Sequence, residues 1–263
     1  MTTILETIAD HARERVAQAK ARLPQRELEA LARERRAGAA PDAFCRALRT
    51  PGLSFICECK KASPSKGVIS AEYAPVDIAR SYADAGADAI SVLTEPRWFL
   101  GNDEHLREIA ATVTVPCLRK DFTVDPYMIW EAAALGAEAV LLIVSLLDAA
   151  QLRDGLALCR ELGLSALVET RDAAQIETAL ACGARIVGVN NRNLADFTVD
   201  GGKAAGLRPL VPPEAVFVAE SGVQDGAGAR ALREAGVDAI LVGEAMMRAP
   251  DKRAKLAELR GQA

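Results

Sequence analysis

The residues best suited to chemistry in this sequence are lysines and glutamates that end short apolar runs. Glu58 and Lys60 stand two apart in Cys57-Glu58-Cys59-Lys60. Lys120 sits in Leu118-Arg119-Lys120-Asp121, Glu169 follows Val168, and Glu220 follows Ala219 in Ala219-Glu220-Ser221-Gly222. Asn190-Asn191-Arg192-Asn193 adds a further polar end. Ammonium and carboxylate groups gathered at one place can give and take protons from a substrate. Burial is expected to raise a glutamate pKa, and crowding Lys60 with Lys120 to lower that of one lysine, which suits acid and base work near neutral pH. The competing reading is a structural ring of ion pairs. It stands for any one residue but weakens for the set, because charges following apolar strands cost desolvation unless paired or used.

The elements that must position these groups are legible as an alternation. Strand-like runs fall at 54–59, 89–93, 116–119, 139–144, 165–168, 186–189, 215–219 and 239–242. Helix-like stretches lie between them, among others at 74–85, 126–135, 152–162, 173–182 and 226–235. Several of the runs are almost wholly apolar, as parallel strands covered on both faces are. Ala85-Gly86-Ala87-Asp88-Ala89-Ile90, Leu135-Gly136-Ala137-Glu138-Ala139-Val140 and Ala235-Gly236-Val237-Asp238-Ala239-Ile240 repeat one helix-to-strand turn, with a looser copy at Cys182-Gly183-Ala184-Arg185. In each, Gly can close a helix in the left-handed conformation. Eight strand–helix units of this kind predict an α/β fold, a (β/α)8 barrel in which reactive groups sit at the C-terminal strand ends. Period-two alternation puts Glu58 and Lys60 on one face and Cys57 and Cys59 on the other. With the charged pair in the barrel mouth, the two cysteines face the helix layer.

Two segments suit a phosphate. Ser221-Gly222-Val223 follows the seventh strand, and Gly243-Glu244 follows the eighth and opens a helix. Small residues there let backbone N–H groups approach an anion, at positions where this fold often binds phosphate. Lys61-Ala62-Ser63-Pro64-Ser65-Lys66-Gly67 reads as a basic loop, either solvated or able to close over a ligand. The expected organisation is one domain over 1–263, with a helical extension at 1–50 and the barrel at 51–263. Ile4, Leu5, Ile8 and His11 share a helical face, Pro24 breaks that helix, and a third short helix is expected after Pro41. The extension either packs against the barrel bottom or flank, or caps the site; both readings stand.

Composition narrows the classes. Half of the 263 residues are hydrophobic, the net charge is −4, and no basic block stands out, so nucleic acid is not an expected partner. No apolar run approaches the ~20 residues of a membrane span, and Met1-Thr2-Thr3-Ile4-Leu5-Glu6 lacks the basic start of a secretory signal, so a cytoplasmic protein is expected. The six cysteines lie mostly in apolar context and read as reduced core residues, and with two histidines in the chain a zinc set at Cys57 and Cys59 is not expected. No metal and no cofactor is signalled. The expected partner is a small phosphorylated molecule, and the expected state a monomer or weak homo-oligomer.

The motifs resemble those of the indole-3-glycerol-phosphate synthase family, in order as well as in kind. Glu58-Cys59-Lys60-Lys61-Ala62-Ser63-Pro64-Ser65-Lys66-Gly67 looks like the family signature at the first strand. Ser91-Val92-Leu93-Thr94-Glu95, Leu118-Arg119-Lys120-Asp121-Phe122, Asp125-Pro126-Tyr127, Gly188-Val189-Asn190-Asn191-Arg192-Asn193-Leu194 and Glu220-Ser221-Gly222 follow. The resemblance, which takes in the helical extension, implies a decarboxylating lyase of tryptophan biosynthesis. Such an enzyme closes the pyrrole ring of 1-(2-carboxyphenylamino)-1-deoxyribulose 5-phosphate, losing CO2 and water. By position it implies Lys120 as general acid, Lys60 as partner of a substrate anion, and Glu58 and Glu169 as proton carriers in later steps. It further implies substrate contacts from Ser63, Phe122, Asn190, Arg192, Glu220 and Ser221, and phosphate contacts from the amides of Gly222, Gly243 and Glu244. Two departures stand out: Glu95 where Asp is more familiar, and Arg171 where His is frequent, which bears on the hydrogen bonding around Glu169. The alternatives are a sugar-phosphate isomerase on the same fold, which would rely on a different acid–base set, and a catalytically silent barrel serving as a binding partner, which would have lost one of these groups.

Overall fold

The computed structural model describes residues 3–193 and 197–262, so Met1, Thr2 and Leu194 of the segments above, and Ala263, lie outside the described residues. Among the described residues, eight parallel strands close into a barrel: β1 (Ser54–Cys59), β2 (Ala89–Leu93), β3 (Cys117–Lys120), β4 (Ala139–Ile143), β5 (Ser165–Thr170), β6 (Ile186–Asn190), β7 (Val216–Glu220) and β8 (Ala239–Val242). Each pairs with its sequence neighbours, and β8 returns to β1 with Ile56 opposite Leu241. This is the (β/α)8 fold that the alternation predicts. The third strand starts at Cys117 rather than at Pro116, which has no N–H to give to a ladder.

The crossovers carry the outer helices. After α1 (Ile4–Arg22), α2 (Gln25–Arg36) and α3 (Ala43–Ala47) come α4 (Pro75–Ala85), α5 (Asp103–Thr112), α6 (Pro126–Leu135), α7 (Ala149–Glu161), α8 (Ala173–Ala181), α9 (Lys203–Leu207) and α10 (Gly226–Glu234). Beyond β8 lie α11 (Glu244–Arg248) and α12 (Lys252–Arg260). The repeated turn works as read: Gly86 and Gly136 cap α4 and α6 at φ 94° and 91°, in the left-handed region where a Cβ would be strained. Asp88 and Asp238, the polar residues of two such turns, accept hydrogen bonds from the backbone N–H groups of Phe55 and Phe217 and so lock neighbouring strands.

The extension does both of the things its sequence allows. α3 closes the bottom: the Cys45 N–H donates to Ser165 Oγ at 3.1 Å, and Ser54 Oγ donates to the Leu48 carbonyl, each at the first residue of a strand. Phe44, Cys45 and Leu48 join the inward-facing residues Ala139, Ile186, Val216 and Ala239 in one buried cluster. α2 packs along the flank against α6. α1 lies across the mouth, where Ile4, Leu5 and Ile8 line the central cavity. Thr3 starts it with a capping box, its hydroxyl accepting from the Glu6 N–H while Glu6 accepts from Thr3. Cys57 and Cys59 face the helix layer among Tyr82, Ala79 and Met246. Burial there pushes the Cys57 thiol up to about 12, so it is inert rather than a thiolate ligand. No helix among the described residues is long and apolar enough to cross a membrane.

Candidate active site

The C-terminal strand ends converge on one cavity of about 1140 Å³, counting the space open to solvent at its mouth. It gathers every residue singled out in the sequence: Glu58, Lys60, Ser63, Lys120, Phe122, Glu169, Asn190, Arg192, Glu220, Ser221, Gly222, Gly243 and Glu244 all line it. Strand alternation explains the convergence. Ile56 and Leu118 face the interior, so Glu58, Lys60 and Lys120, even-numbered on the same strands, point the same way at the rim.

Two charge clusters form. Lys60 Nζ stands 2.6 Å from Glu58 Oε2, and Ser91 Oγ is 3.4 Å from Glu58 Oε1. Lys120 Nζ lies 3.6 Å from Glu220 Oε2 and 4.0 Å from Glu169 Oε2. Asn190 Nδ2 donates to Glu169 Oε2 at 3.2 Å, and Asn190 Oδ1 accepts from the Arg192 N–H at 2.9 Å. Arg171 points away, its side chain two-thirds exposed and 3.5 Å from Asp172, so the hydrogen bond to Glu169 comes from Asn190 instead.

At the strand ends Glu58, Glu169 and Glu220 stand against Lys60 and Lys120, and the protonation pattern follows from that imbalance. Burial raises the Glu58 carboxyl, but Lys60 and Lys120 outweigh it and hold Glu58 below the usual carboxylate range. Glu220 is the carboxylate left short. Among the described residues neither of its oxygens has a hydrogen-bond partner, and burial together with Glu169 pushes it up to about 8 against the pull of Lys120. Lys120 corrects one sequence expectation. Burial lowers its pKa, but Glu220, Glu58 and Glu169 raise it further, so Lys120 is held above the ordinary lysine range rather than below it. The carboxylates around it outweigh the neighbouring lysine.

Three features were not foreseen. Asp121, next to Lys120, takes a bidentate ion pair from Arg15 on α1, at 2.7 and 3.1 Å, and a hydrogen bond from Thr94 Oγ1 at 2.7 Å. That pair ties the cap helix to the strand end carrying Lys120. Asp121 stands in a motif quoted above, and Arg15 falls seven residues after Ile8, on the same helical face; that spacing was the available signal. Glu95 is structural: buried, it accepts from the N–H groups of Arg97, Trp98 and Phe99, with His11 of α1 at 3.5 Å. The segment after β1 is a short antiparallel hairpin, Ala62–Ser63 with Gly67–Val68, joined to the next loop by the Ala62 N–H on the Phe99 carbonyl. It brings Ser63, Pro64, Ser65 and Lys66 to the cavity wall.

After β7, Ser221 and Gly222 turn consecutively through positive φ, 67° and 91°. Asn191 holds that turn by donating from Nδ2 to the Ser221 carbonyl at 3.0 Å. A Cβ on Gly222 would lie 2.8 Å from Val199, and one on Gly243 would lie 2.6 Å from Glu58 Oε2 and 2.9 Å from Lys60 Nζ. Both positions therefore require glycine for close approach. Leu93, Phe99, Phe122, Ile143 and Leu241 supply apolar surface in the same cavity, with the Phe99 and Phe122 rings 6.0 Å apart.

Known proteins share this arrangement to different depths. A thiamine phosphate pyrophosphorylase from Pyrococcus furiosus superposes with a TM-score of 0.59 over 80% of this chain and 94% of its own, at 20% identity, a likeness of fold alone. The indole-3-glycerol phosphate synthase of Ruminiclostridium cellulolyticum is 52% identical over 85% of this chain and 86% of its own length. That of Lachnoclostridium phytofermentans is 46% identical over 98% of both. The family model for indole-3-glycerol phosphate synthase matches residues 5–259. The chain therefore belongs to the indole-3-glycerol phosphate synthase family.

Proposed function

We propose that this chain catalyses the ring closure of 1-(2-carboxyphenylamino)-1-deoxyribulose 5-phosphate to indole-3-glycerol phosphate, with loss of CO2 and water, as a cytoplasmic enzyme of tryptophan biosynthesis working as a single domain. One observation carries the reading: a buried ammonium, Lys120, faces Glu220 and Glu169 in a cavity that apolar side chains and the glycine turns after β7 and β8 also line. Attack of the aromatic carbon on the ribulose carbonyl leaves a developing alkoxide. An alkoxide is a stronger base than an amine, so the charged Lys120 can protonate it even with a raised pKa. Loss of CO2 then discharges the cationic ring system. Dehydration needs one proton taken from carbon and one given to the departing hydroxyl.

Glu169, oriented by Asn190, takes the proton, and Lys60 assists the departure while pairing with a substrate anion. Glu58 holds Lys60 in place at 2.6 Å. Asn190, Arg192, Glu220, Ser221 and Ser63 orient the substrate, and Phe122 packs on its aromatic ring. Backbone N–H groups at Gly222, Gly243 and Glu244 hold the phosphate. These steps draw on side chains of the chain itself. The test is direct: the purified protein is given the carboxyphenylamino deoxyribulose phosphate and indole fluorescence is followed. Fluorescence growing in proportion to enzyme supports the reading; folded protein that produces none overturns it.

A further inference from the structure

Gly188 has no role in the account so far, although it opens the segment that carries Asn190 and Arg192. It lies inside β6, opposite Val218 of β7, two residues before Asn190 pairs with Glu220. Its backbone is not in the left-handed region, so conformation alone would admit any L residue. Space would not. A Cβ built on Gly188 falls 2.3 Å from Glu220 Oε1 and 3.1 Å from Leu167 Cδ1. Non-bonded carbon and oxygen atoms do not approach to 2.3 Å, since ordinary contacts lie at about 3.5 Å or more. The Glu220 carboxylate thus fills the volume that a side chain at position 188 would need.

We propose that Gly188 is a positioning residue for the ring-closure reaction: its bare Cα is the seat that holds the Glu220 carboxylate against the Lys120 ammonium. The inference rests on the function proposed above and adds to it how one of its groups is fixed. The other two carboxylates are held by hydrogen bonds or close ion pairs, Glu58 by Lys60 and Ser91, Glu169 by Asn190. Glu220 has only the longer ion pair to Lys120, at 3.6 Å, and among the described residues neither of its buried oxygens has a hydrogen-bond partner. Packing must do what hydrogen bonds do elsewhere, and Gly188 supplies the packing surface. A glycine inside a strand weakens that strand and marks a place where another group approaches closely. The same device recurs at Gly243, whose missing Cβ leaves room for Glu58 and Lys60.

The test is a double-mutant cycle on the full chain with Gly188→Ala, Glu220→Asp and the pair. Alanine at 188 drives the carboxylate off its seat, and Asp, one methylene shorter, clears the clash. Gly188→Ala should lower kcat by about tenfold or more with KM changed little, the pattern of a displaced group rather than of lost binding. The double variant should turn over faster than Gly188→Ala alone and should unfold at a higher urea concentration than it does. Fold-losses that simply multiply, in both kcat and unfolding midpoint, would overturn the proposal. Should Gly188→Ala fail to fold, recovery of folded protein by the added Glu220→Asp supports the seat, and an unfolded double variant overturns it. A parent chain without turnover would overturn the proposed function, whereas the denaturation cycle would still decide whether Glu220 sits on Gly188.

Discussion

Replacing Glu220 by Gln should remove a pH dependence of stability that the site builds into the fold. The Glu220 carboxyl is fully buried, has no hydrogen-bond partner at either oxygen among the described residues, and is pushed from the usual 4.5 to about 8 by burial and by Glu169. In the unfolded chain it releases its proton near 4.5; in the folded chain it keeps it until about 8. Between those values the folded state binds a proton that the unfolded state has lost, so stability falls as pH rises through the window. The contribution is intact below 4.5 and gone above about 8. Lys120 holds its proton in both states across this range and cancels. At about 1.4 kcal/mol per pH unit, the ceiling over the whole window is roughly 5 kcal/mol, and because the unfolded carboxyl is already largely ionised at about pH 5, the expected loss between about pH 5 and about pH 9 is about 2–4 kcal/mol. Urea denaturation of both proteins at about pH 5 and about pH 9 reads it. The Gln variant should gain on the parent by that amount between the two conditions. Parallel stabilities would refute the argument that Glu220 is the carboxylate left short of a partner.

Two further outcomes follow from the same contacts. Arg15→Ala removes the bidentate pair to Asp121, a group that keeps Thr94 and, at 3.7 Å, Arg119. With Arg15 one-fifth exposed, the cost should be about 2–3 kcal/mol in urea denaturation, with KM raised more than kcat is lowered as the cap helix loosens. Lys60→Met takes from Glu58 the partner that does most to hold its carboxyl low. The acidic limb of the kcat/KM profile should then move to higher pH and KM should rise; an unmoved limb with a normal KM would show that Glu58 and Lys60 do not act as a unit.

What could be seen in the sequence was local. The barrel was legible because each strand–turn–helix unit carries its own apolar run and its own glycine cap, as at Gly86 and Gly136. The apolar run of β5 stops at Val168, yet the ladder runs on with Glu169 opposite Gly188. Polar side chains at the rim do not stop backbone pairing. The catalytic candidates were legible because each ends a strand. Arg15 with Asp121 and Gly188 with Glu220 were not, because each joins residues far apart in the chain whose meeting depends on the closed barrel. That Lys120 is not a lysine lowered by crowding has a similar reason. It depends on how many carboxylates surround one ammonium, a count made in space.

The most direct test of the central claim is Lys120→Met, assayed both for substrate binding and for indole formation. Lys120 is the ammonium paired with Glu169 and Glu220, and on the proposed mechanism its loss removes the proton for the developing alkoxide. The expected result is a folded protein that binds the carboxyphenylamino deoxyribulose phosphate with affinity within about tenfold of the parent, while turnover falls by roughly a thousandfold or more. A Lys120→Met variant that retained turnover near the parent rate would contradict the account.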